Sequence, residues 1–252
     1  MTRSRINNYL AKIPLFFNLH NLVYKPLDLI YKPADLNWNY YHKIKEVEVE
    51  LEHQIGRLTN FKEIIESIDR DKLPGDVVEF GCWKGFSVLW LAYLLERTGI
   101  FDKNIIGLDS FAGLPEADGV FKKVQFSDAS LKDCRRSIYY SRDLYSPTKK
   151  KVVFYKNNFS ETKDIVTKLK SRKFCLVHID CDIASSAQEI FKILLEGDLM
   201  AERCYVVFDD YGCQSGLKEA VDNIISGLSD RWEITPAVKT KLTKNYFFNR
   251  KR

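Results

Sequence analysis

Carboxylate side chains end two apolar segments of the chain, where they could bind a cation or accept a proton. Asp180 and Asp182 end the segment HIDCD, and Asp209 and Asp210 lie in FDDYG. If these segments are neighbouring strands, Asp180 lies within a few ångströms of the other pair. Two carboxylates about 4 Å apart repel by roughly 4 kcal/mol at an effective dielectric constant of 20. Protonation, a basic partner or a divalent cation must therefore offset the repulsion.

A divalent cation would account for this acidic cluster. Oxygen ligands without a Cys or His pattern favour Mg²⁺, Ca²⁺ or Mn²⁺ over zinc. Asp209 and Asp210 would face opposite sides of a regular strand, so they converge only if the chain turns there, which Tyr211 and Gly212 permit. The alternative is that one aspartate caps a helix and the others are solvated.

A glycine-containing segment, Glu79–Ser87 (EFGCWKGFS), follows another predicted strand. Gly81 and Gly85 allow a sharp turn and a close approach of the backbone to a ligand, and the next helix would present its amide groups. Trp83 breaks the G-x-G-x-x-G pattern of dinucleotide binders, and a P-loop order is absent, which disfavours an NAD-dependent oxidoreductase. The segment suits a ligand without a pyrophosphate, such as S-adenosylmethionine (SAM). A purely structural turn is the alternative.

Asp109 ends the next predicted strand, in NIIGLDS. A carboxylate about 20–30 residues after the glycines can accept hydrogen bonds from both ribose hydroxyls. A helix N-cap is the alternative role, but the following Gly113-Leu-Pro sequence favours a loop. Asp109 is therefore the candidate ribose ligand.

An α/β fold would position these residues. From residue 76 onward, short apolar strands alternate with amphipathic helical stripes, which predicts a doubly wound, mostly parallel sheet. The predicted strands are 76–81, 104–110, 151–157, 173–180, 202–210, 232–238 and 245–249. The last two are close enough in sequence for an antiparallel hairpin. Ligands bind beyond the carboxyl ends of the strands of such a sheet, where the polar residues stand.

The chain is predicted to divide into an N-terminal region, residues 1–72, and the α/β domain, residues 73–252. The first region would be an arm followed by a helical cap, with one helix in 44–58 and a second in 61–68. The arm could close over an acceptor or pack against another subunit of a homo-oligomer, and both interpretations stay open.

A long insertion at about 117–148 is expected to form a lid that contains a helix at about 128–142. Its basic residues could meet an anionic acceptor or could form a solvated helix face. These residues are Lys122, Lys123, Arg135, Arg136 and Arg142.

Composition excludes several classes of protein. The 252 residues are 45% hydrophobic and 29% charged, which is typical of a globular protein. The net charge is +5, and the basic residues are interleaved with acids, so no nucleic-acid partner is expected. No apolar stretch approaches the ~18 residues of a membrane span. The six cysteines form no C-x-x-C pair, so we expect reduced thiols in a soluble, cytoplasmic protein.

Four motifs together resemble the macrocin O-methyltransferase family (TylF/MycF-type). They are E-F-G-C-W-K-G-x-S from Glu79, D-S-F-x-G-L-P-E from Asp109, H-I-D-x-D from His178 and F-D-D-Y-G from Phe208. The resemblance covers about residues 60–250 and implies a Rossmann-like class I methyltransferase fold with sheet order 3-2-1-4-5-7-6. It also implies a SAM-dependent sugar O-methyltransferase of a natural-product pathway, with a divalent metal, usually Mg²⁺, and a small-molecule sugar hydroxyl as acceptor.

The resemblance also assigns roles to individual residues. Asp180 would be the general base, with His178 as the second candidate. The family's D-x-Y-E-S-T sequence is replaced here by Asp182-Ile-Ala-Ser-Ser, which leaves the acceptor open. The implied metal ligands are Asp180, Asp209 and Asp210. The implied SAM-binding residues are Glu79, Gly81, Gly85, Ser87 and Asp109. We also predict SAM contacts from Ser110 and from Asn158, which lies after the third strand, where the family usually has a glycine and an acid.

Two other functions remain consistent with these residues. A catechol-like phenol presents neighbouring oxygens to a cation as a sugar diol does, so a metal site does not distinguish these acceptors. A catalytically silent scaffold with a SAM-binding fold is the second alternative. The intact acidic cluster argues against the scaffold, because a silent protein has no reason to keep mutually repelling carboxylates.

Overall fold

Strands and helices alternate along the chain, as the sequence pattern predicts. The computed structural model describes residues 44–132, 134–135, 152–213, 216–239 and 243–251, without the side chains of 44–52 and 238–239. The helices are α1 (Ile44–Arg70), α2 (Phe86–Arg97), α3 (Thr162–Leu169), α4 (Ala184–Glu196) and α5 (Leu217–Gly227). The strands are β1 (Asp76–Phe80), β2 (Ile105–Asp109), β3 (Val152–Lys156), β4 (Phe174–Ile179), β5 (Met200–Phe208), β6 (Trp232–Lys239) and β7 (Lys244–Arg250).

The strands form one sheet in the order β3-β2-β1-β4-β5-β7-β6. Strands β1 to β5 are parallel, and β7 runs antiparallel to both β5 and β6. This is the predicted fold, including the C-terminal hairpin. All six residues of β4 are buried, because this central strand is covered on both faces, and that burial explains its continuous apolar run.

Helices cover both faces of the sheet. Helices α3, α4 and α5 pack on one face, and α1 and α2 pack on the other. On α2 the apolar residues Phe86, Leu89, Trp90 and Tyr93 recur at helical spacing, but they are only partly buried, and the buried face carries Val88, Leu91 and Leu95. The helix is apolar on nearly all sides, so its periodicity does not select a face. In the part of the chain that the structure describes, no helix is both long and apolar enough to cross a membrane.

Helix α1 is one continuous helix of 27 residues, where the sequence predicts two. No proline or glycine stands between the predicted segments, and Asn60, at the expected break, is buried and donates a hydrogen bond from Nδ2 to Thr243 Oγ1 at 2.8 Å. The side chains of Phe61 and Ile64 are fully buried in the core. The predicted arm, residues 1–43, lies outside the described residues.

The strands end in register at the edge that carries the acids. Beyond the strand ends, the amides of Gly81, Asp180 and Asp209 each donate to a carbonyl of the neighbouring strand at 2.9 Å. Gly81 has a φ of 89°, and a Cβ at this position would lie 1.6 Å from the carbonyl oxygen of Asp180. Only glycine therefore permits the close approach of these two chain segments.

We predict that Gly81→Ala lowers the free energy of unfolding by more than about 4 kcal/mol or prevents folding, because a Cβ that overlaps backbone cannot rotate away. Urea denaturation followed by circular dichroism measures the loss. Gly99→Ala is the matched control, since Gly99 also has a positive φ, 78°, but has nothing within 4 Å of its Cβ position. We expect the control to cost about 1–2 kcal/mol, the penalty of the left-handed conformation. Equal losses in the two variants would contradict the steric argument.

The loop after β2 is tied to two helices through one carboxylate. Asp118 Oδ2 accepts a hydrogen bond from the Ala184 amide at 3.0 Å, and Oδ1 accepts one from the Gly216 amide at 2.8 Å. These amides lie at the N-termini of α4 and α5, where the helix dipoles favour a negative charge. The start of the predicted lid is thus attached to the domain. Residues 131–132 and 134–135 are helical, and the remainder of the predicted lid helix, 136–142, lies outside the described residues.

Asp118→Ala is expected to lower the free energy of unfolding by about 1–2 kcal/mol, because it removes the acceptor for both amides. Asp102→Ala serves as the control, since Asp102 is exposed, and its effect should stay within about 0.5 kcal/mol. Thermal and urea denaturation of both variants measure the difference. If Asp118→Ala behaves like its control, the carboxylate does not stabilise the two helices.

Candidate active site

A cavity of about 910 Å³ opens at the carboxyl edge of the sheet. It lies between the segments that follow β1, β2, β3, β4 and β5 and the described part of α1. A volume of this size accommodates a small-molecule ligand. Seven of the predicted site residues line it: Gly81, Asp109, Ser110, Asn158, Asp180, Asp209 and Asp210.

The other predicted residues lie beneath the cavity. Glu79, Ser87 and His178 are buried, and none of them lines the cavity. The Ser87 hydroxyl donates to Glu79 Oε1, and His178 Nδ1 lies 3.5 Å from the same oxygen. Burial opposes a charge on His178, but the Glu79 carboxylate raises the pKa of the imidazole. The edge of the Phe61 ring packs against His178 with 4.9 Å between ring centroids.

Gly85 also lies outside the cavity lining. It begins α2 with a φ of 79°, a conformation that L side chains rarely adopt. A Cβ on Gly85 would approach the Cys134 Sγ to 3.3 Å. In this structure Gly85 shapes the turn into α2, and Gly81 and Trp83 are the residues of the glycine segment that line the cavity.

Asp109 fixes the shape of the glycine segment. Its Oδ2 accepts hydrogen bonds from the amides of Cys82 and Trp83, both at 2.7 Å, and its Oδ1 accepts one from the Phe111 amide at 2.6 Å. Burial raises the pKa of Asp109, and the three amides oppose that rise. A carboxylate offers about four acceptor positions, so about one remains for a ligand. The predicted ribose ligand therefore faces the cavity while it also holds the loop.

Three carboxylates converge at the part of the cavity wall that follows β4 and β5. Oxygens of Asp180, Asp182 and Asp210 all lie within 4.8 Å of one another. Asp182 and Asp210 have φ values of 62° and 53°, in the left-handed region that costs non-glycine residues energy. Burial raises the pKa of each of the three groups, and repulsion between neighbouring carboxylates raises it further. The backbone at Asp182 and Asp210 is thus held in an unfavourable conformation, and the three acidic groups lie close together.

Asp209 is not one of these three converging carboxylates, and it contacts basic side chains instead. Arg57 Nη1 lies 2.6 Å from Asp209 Oδ2 and 2.8 Å from Asp180 Oδ2, and His53 Nε2 lies 3.2 Å from Asp209. The converging set therefore contains Asp182 where the sequence analysis has Asp209.

The basic partner that the sequence analysis left open is Arg57. Burial opposes its charge, but Asp209 and Asp180 raise its pKa, and Arg57 in turn lowers the pKa of Asp209. Neither Arg57 nor His53 was predicted as a site residue. Their spacing of four residues on one helix is a signal for a shared face, but the sequence does not indicate that this face meets the acids.

The acidic cluster fits a divalent cation. Its donors are carboxylate oxygens only, the ligands that Mg²⁺ and Mn²⁺ prefer, and they already lie close together at the cavity wall. A cation would also offset the repulsion that raises their pKa values. Asp180 belongs both to this cluster and to the Arg57 ion pairs, so it links the two arrangements.

Two aromatic side chains form another part of the cavity wall. Trp83 and Phe126 both line the cavity and meet edge to face with 5.4 Å between centroids. Trp83 Nε1 donates to Asp128 Oδ1 at 2.7 Å, and Lys84 Nζ lies 2.6 Å from the other oxygen of that carboxylate. The basic residues Lys122, Lys123 and Arg135 are exposed, and they do not line the cavity. Arg136 and Arg142 lie outside the described residues.

The amino-acid sequence is similar to that of a known enzyme family and of several of its members. The profile of the macrocin O-methyltransferase (TylF) family matches residues 54–227, more than half of the chain. The mycinamicin III 3''-O-methyltransferase of Micromonospora griseorubida is 37% identical over 60 residues, which cover 24% of each chain. The demethyldecarbamoylnovobiocin O-methyltransferase of Streptomyces niveus is 25% identical over 178 residues, which cover 67% of this chain and 64% of that protein. The aligned segments thus span less than two thirds of each relative.

Solved structures share the fold. The O-methyltransferase NovP superimposes with a TM-score of 0.60 at 22% identity, over 79% of this chain and 81% of that chain. CalS11, a calicheamicin methyltransferase, superimposes with a TM-score of 0.61 at 14% identity, over 90% and 91%. At these identities the structural similarity shows only a common fold. The match to the family profile shows family membership. The chain belongs to the macrocin O-methyltransferase family.

Proposed function

We propose that the protein is a SAM-dependent O-methyltransferase that methylates a hydroxyl of a sugar carried by a small molecule. One observation carries the proposal. A single cavity is lined both by the glycine segment that Asp109 holds and by the acidic cluster of Asp180, Asp182 and Asp210. One side suits a nucleoside, and the other side suits a hydroxyl that must lose a proton. Family membership supports the same activity.

The cofactor would bind along the glycine segment. Gly81 brings backbone close to the cavity without a side chain, and Asp109 has about one acceptor position left for a ribose hydroxyl. Ser110 and Asn158 line the adjoining wall. SAM, when bound, would supply the methyl group. Holding the acceptor oxygen in line with that methyl group is a large part of catalysis in such a transfer.

Asp180 is the proposed general base. An alcohol is a poor nucleophile until its proton leaves, and Asp180 is the carboxylate that belongs to the acidic cluster, lines the cavity and also contacts Arg57. Arg57, at 2.8 Å, orients the carboxylate. His178 would act only through the buried Glu79 beneath, because it does not line the cavity.

A divalent cation completes the proposed acceptor site. Asp180 and Asp210 would hold it, with Asp182 or Asp209 as the further ligand. A bound Mg²⁺ or Mn²⁺ would supply positive charge that stabilises the charge developing on the acceptor oxygen. Two neighbouring hydroxyls of a sugar offer the paired oxygens that suit such an ion.

The sugar acceptor is supported by the relatives. One of them, a tetracenomycin rhamnosyl 4'-O-methyltransferase of Streptomyces olivaceus that is 24% identical over 163 residues, is named for methylation of a glycoside. The exposed position of Lys122 and Lys123, away from the cavity, favours a neutral acceptor over an anionic one.

Calorimetric titration with S-adenosylhomocysteine in Mg²⁺ buffer tests the cofactor. We expect micromolar binding at one site per chain, about −8 kcal/mol. Asp109→Ala should weaken the affinity by about tenfold or more, because the glycine segment loses the acceptor for its two amides, those of Cys82 and Trp83. Asp230→Ala, at an exposed aspartate, should bind as the wild type does. Absence of binding to the wild type would favour the silent scaffold.

The acceptor class is tested by incubating the protein with SAM and either methyl α-L-rhamnoside or 3,4-dihydroxybenzoate. We expect a methylated product, detected by mass spectrometry, from the glycoside. Asp180→Asn should lower the rate by about 10²-fold or more while the affinity for S-adenosylhomocysteine stays within about threefold, because the base acts on the acceptor. Methylation of the dihydroxybenzoate alone would identify a catechol O-methyltransferase instead.

A further inference from the structure

The guanidinium of Arg57 lies between two carboxylates at the cavity wall. Its Nη1 contacts Asp180 at 2.8 Å and Asp209 at 2.6 Å, and its Nη2 donates to Gln54 Oε1 at 2.5 Å. The side chain is only 9% exposed, and the Asp209 side chain is fully buried. A positive charge is therefore fixed at the point where two acids would otherwise repel each other.

The proposed cation and Arg57 share ligands. Asp180 belongs to the converging carboxylates, and it is also one of the two acids that Arg57 holds. A divalent ion within reach of Asp180 would lie a few ångströms from the guanidinium, and like charges at that distance repel in a buried site. Full engagement of Asp180 and Asp209 by the ion and by Arg57 at once is therefore unfavourable.

Among the described residues, helix α1 carries the ion pairs to Asp180 and Asp209. His53, Gln54 and Arg57 line the cavity from one face of this helix, and His53 makes a second contact with Asp209. Further along α1, Phe61 is anchored in the core. The turn at residues 53–57 is thus held at the site by charge, and the turn that follows it is held by apolar packing.

We propose that Arg57 is an internal cation that competes with a divalent metal ion for Asp180 and Asp209, and that ion binding releases the guanidinium and loosens the adjoining turns of α1. This inference rests on the metal site of the proposed function. Arg57 thereby sets the affinity for the ion, and the ion adjusts the cavity wall that α1 forms.

Calorimetric titration with Mn²⁺ alone tests the competition. Arg57→Gln should bind Mn²⁺ about tenfold or more tightly than the wild type, a difference of 1.4 kcal/mol. Arg57→Lys retains the charge and should stay near the wild-type affinity. Lys62→Gln is the matched control, since it removes one positive charge from an exposed position of the same helix. Weaker or unchanged binding by Arg57→Gln would overturn the proposal.

A measurement on the wild type keeps the proposal testable if Arg57→Gln does not fold. Hydrogen–deuterium exchange of a peptide that covers residues 53–61 should become faster when Mn²⁺ is added, because Arg57 loses its carboxylate partners. A slower or unchanged exchange would contradict release of the helix.

Failure of this inference can be distinguished from failure of the proposed function. The same samples are titrated with S-adenosylhomocysteine. If neither the wild type nor the variants bind Mn²⁺ but all bind S-adenosylhomocysteine, the competition and the metal site fail, and the methyltransferase assignment stands. If Mn²⁺ binds equally to the wild type and Arg57→Gln, only the competition fails.

Discussion

Asp180 and Asp209 stand side by side because their strands are hydrogen-bonded neighbours and the backbone ladder continues to both residues. This enforced proximity of like charges is the constraint on which the site depends. In the structure, acidic and basic groups alternate along a row of neighbours. The order is Glu79, His178, Asp180, Arg57 and Asp209. Each member lowers the cost of burying the next, so removal of one leaves its neighbours uncompensated in a medium of low polarity.

The alternation joins elements that are distant in sequence. Glu79, His178, Asp180 and Asp209 come from β1, β4 and β5 or the residues directly after them, whereas Arg57 comes from α1. Helix α1 is therefore part of the site as well as a cover for the sheet, and the packing of Phe61 on His178 ties its apolar face to the same polar chain. Correct folding of the region before the first strand is a condition for the arrangement of the acids.

The sequence predicts the fold well and the site in part. Alternating strands and helices, together with the family motifs, predict the sheet order, and parallel pairing places Asp180 beside Asp209 as expected. The contacts of Arg57 could not be predicted, because its partners are 123 and 152 residues away and helix periodicity does not indicate which polar face meets which edge. The converging carboxylates include Asp210 and leave out Asp209; Asp210 is a left-handed residue, and aspartate adopts that conformation only where the surrounding structure imposes it. Direct ligand contacts by Glu79, Ser87 and His178 stay predictions. In the structure these three residues are buried and do not line the cavity.

The three amides held by Asp109 have a consequence for recognition. Because the glycine segment is already fixed by hydrogen bonds within the protein, its ordering entropy is lost during folding and not when a ligand arrives. That half of the cavity is pre-organised, so its selectivity comes from shape. A ligand that requires the segment to move must break its hydrogen bonds to the buried carboxylate of Asp109. We therefore expect analogues of the proper ligand with a different shape to bind weakly, even where their functional groups match.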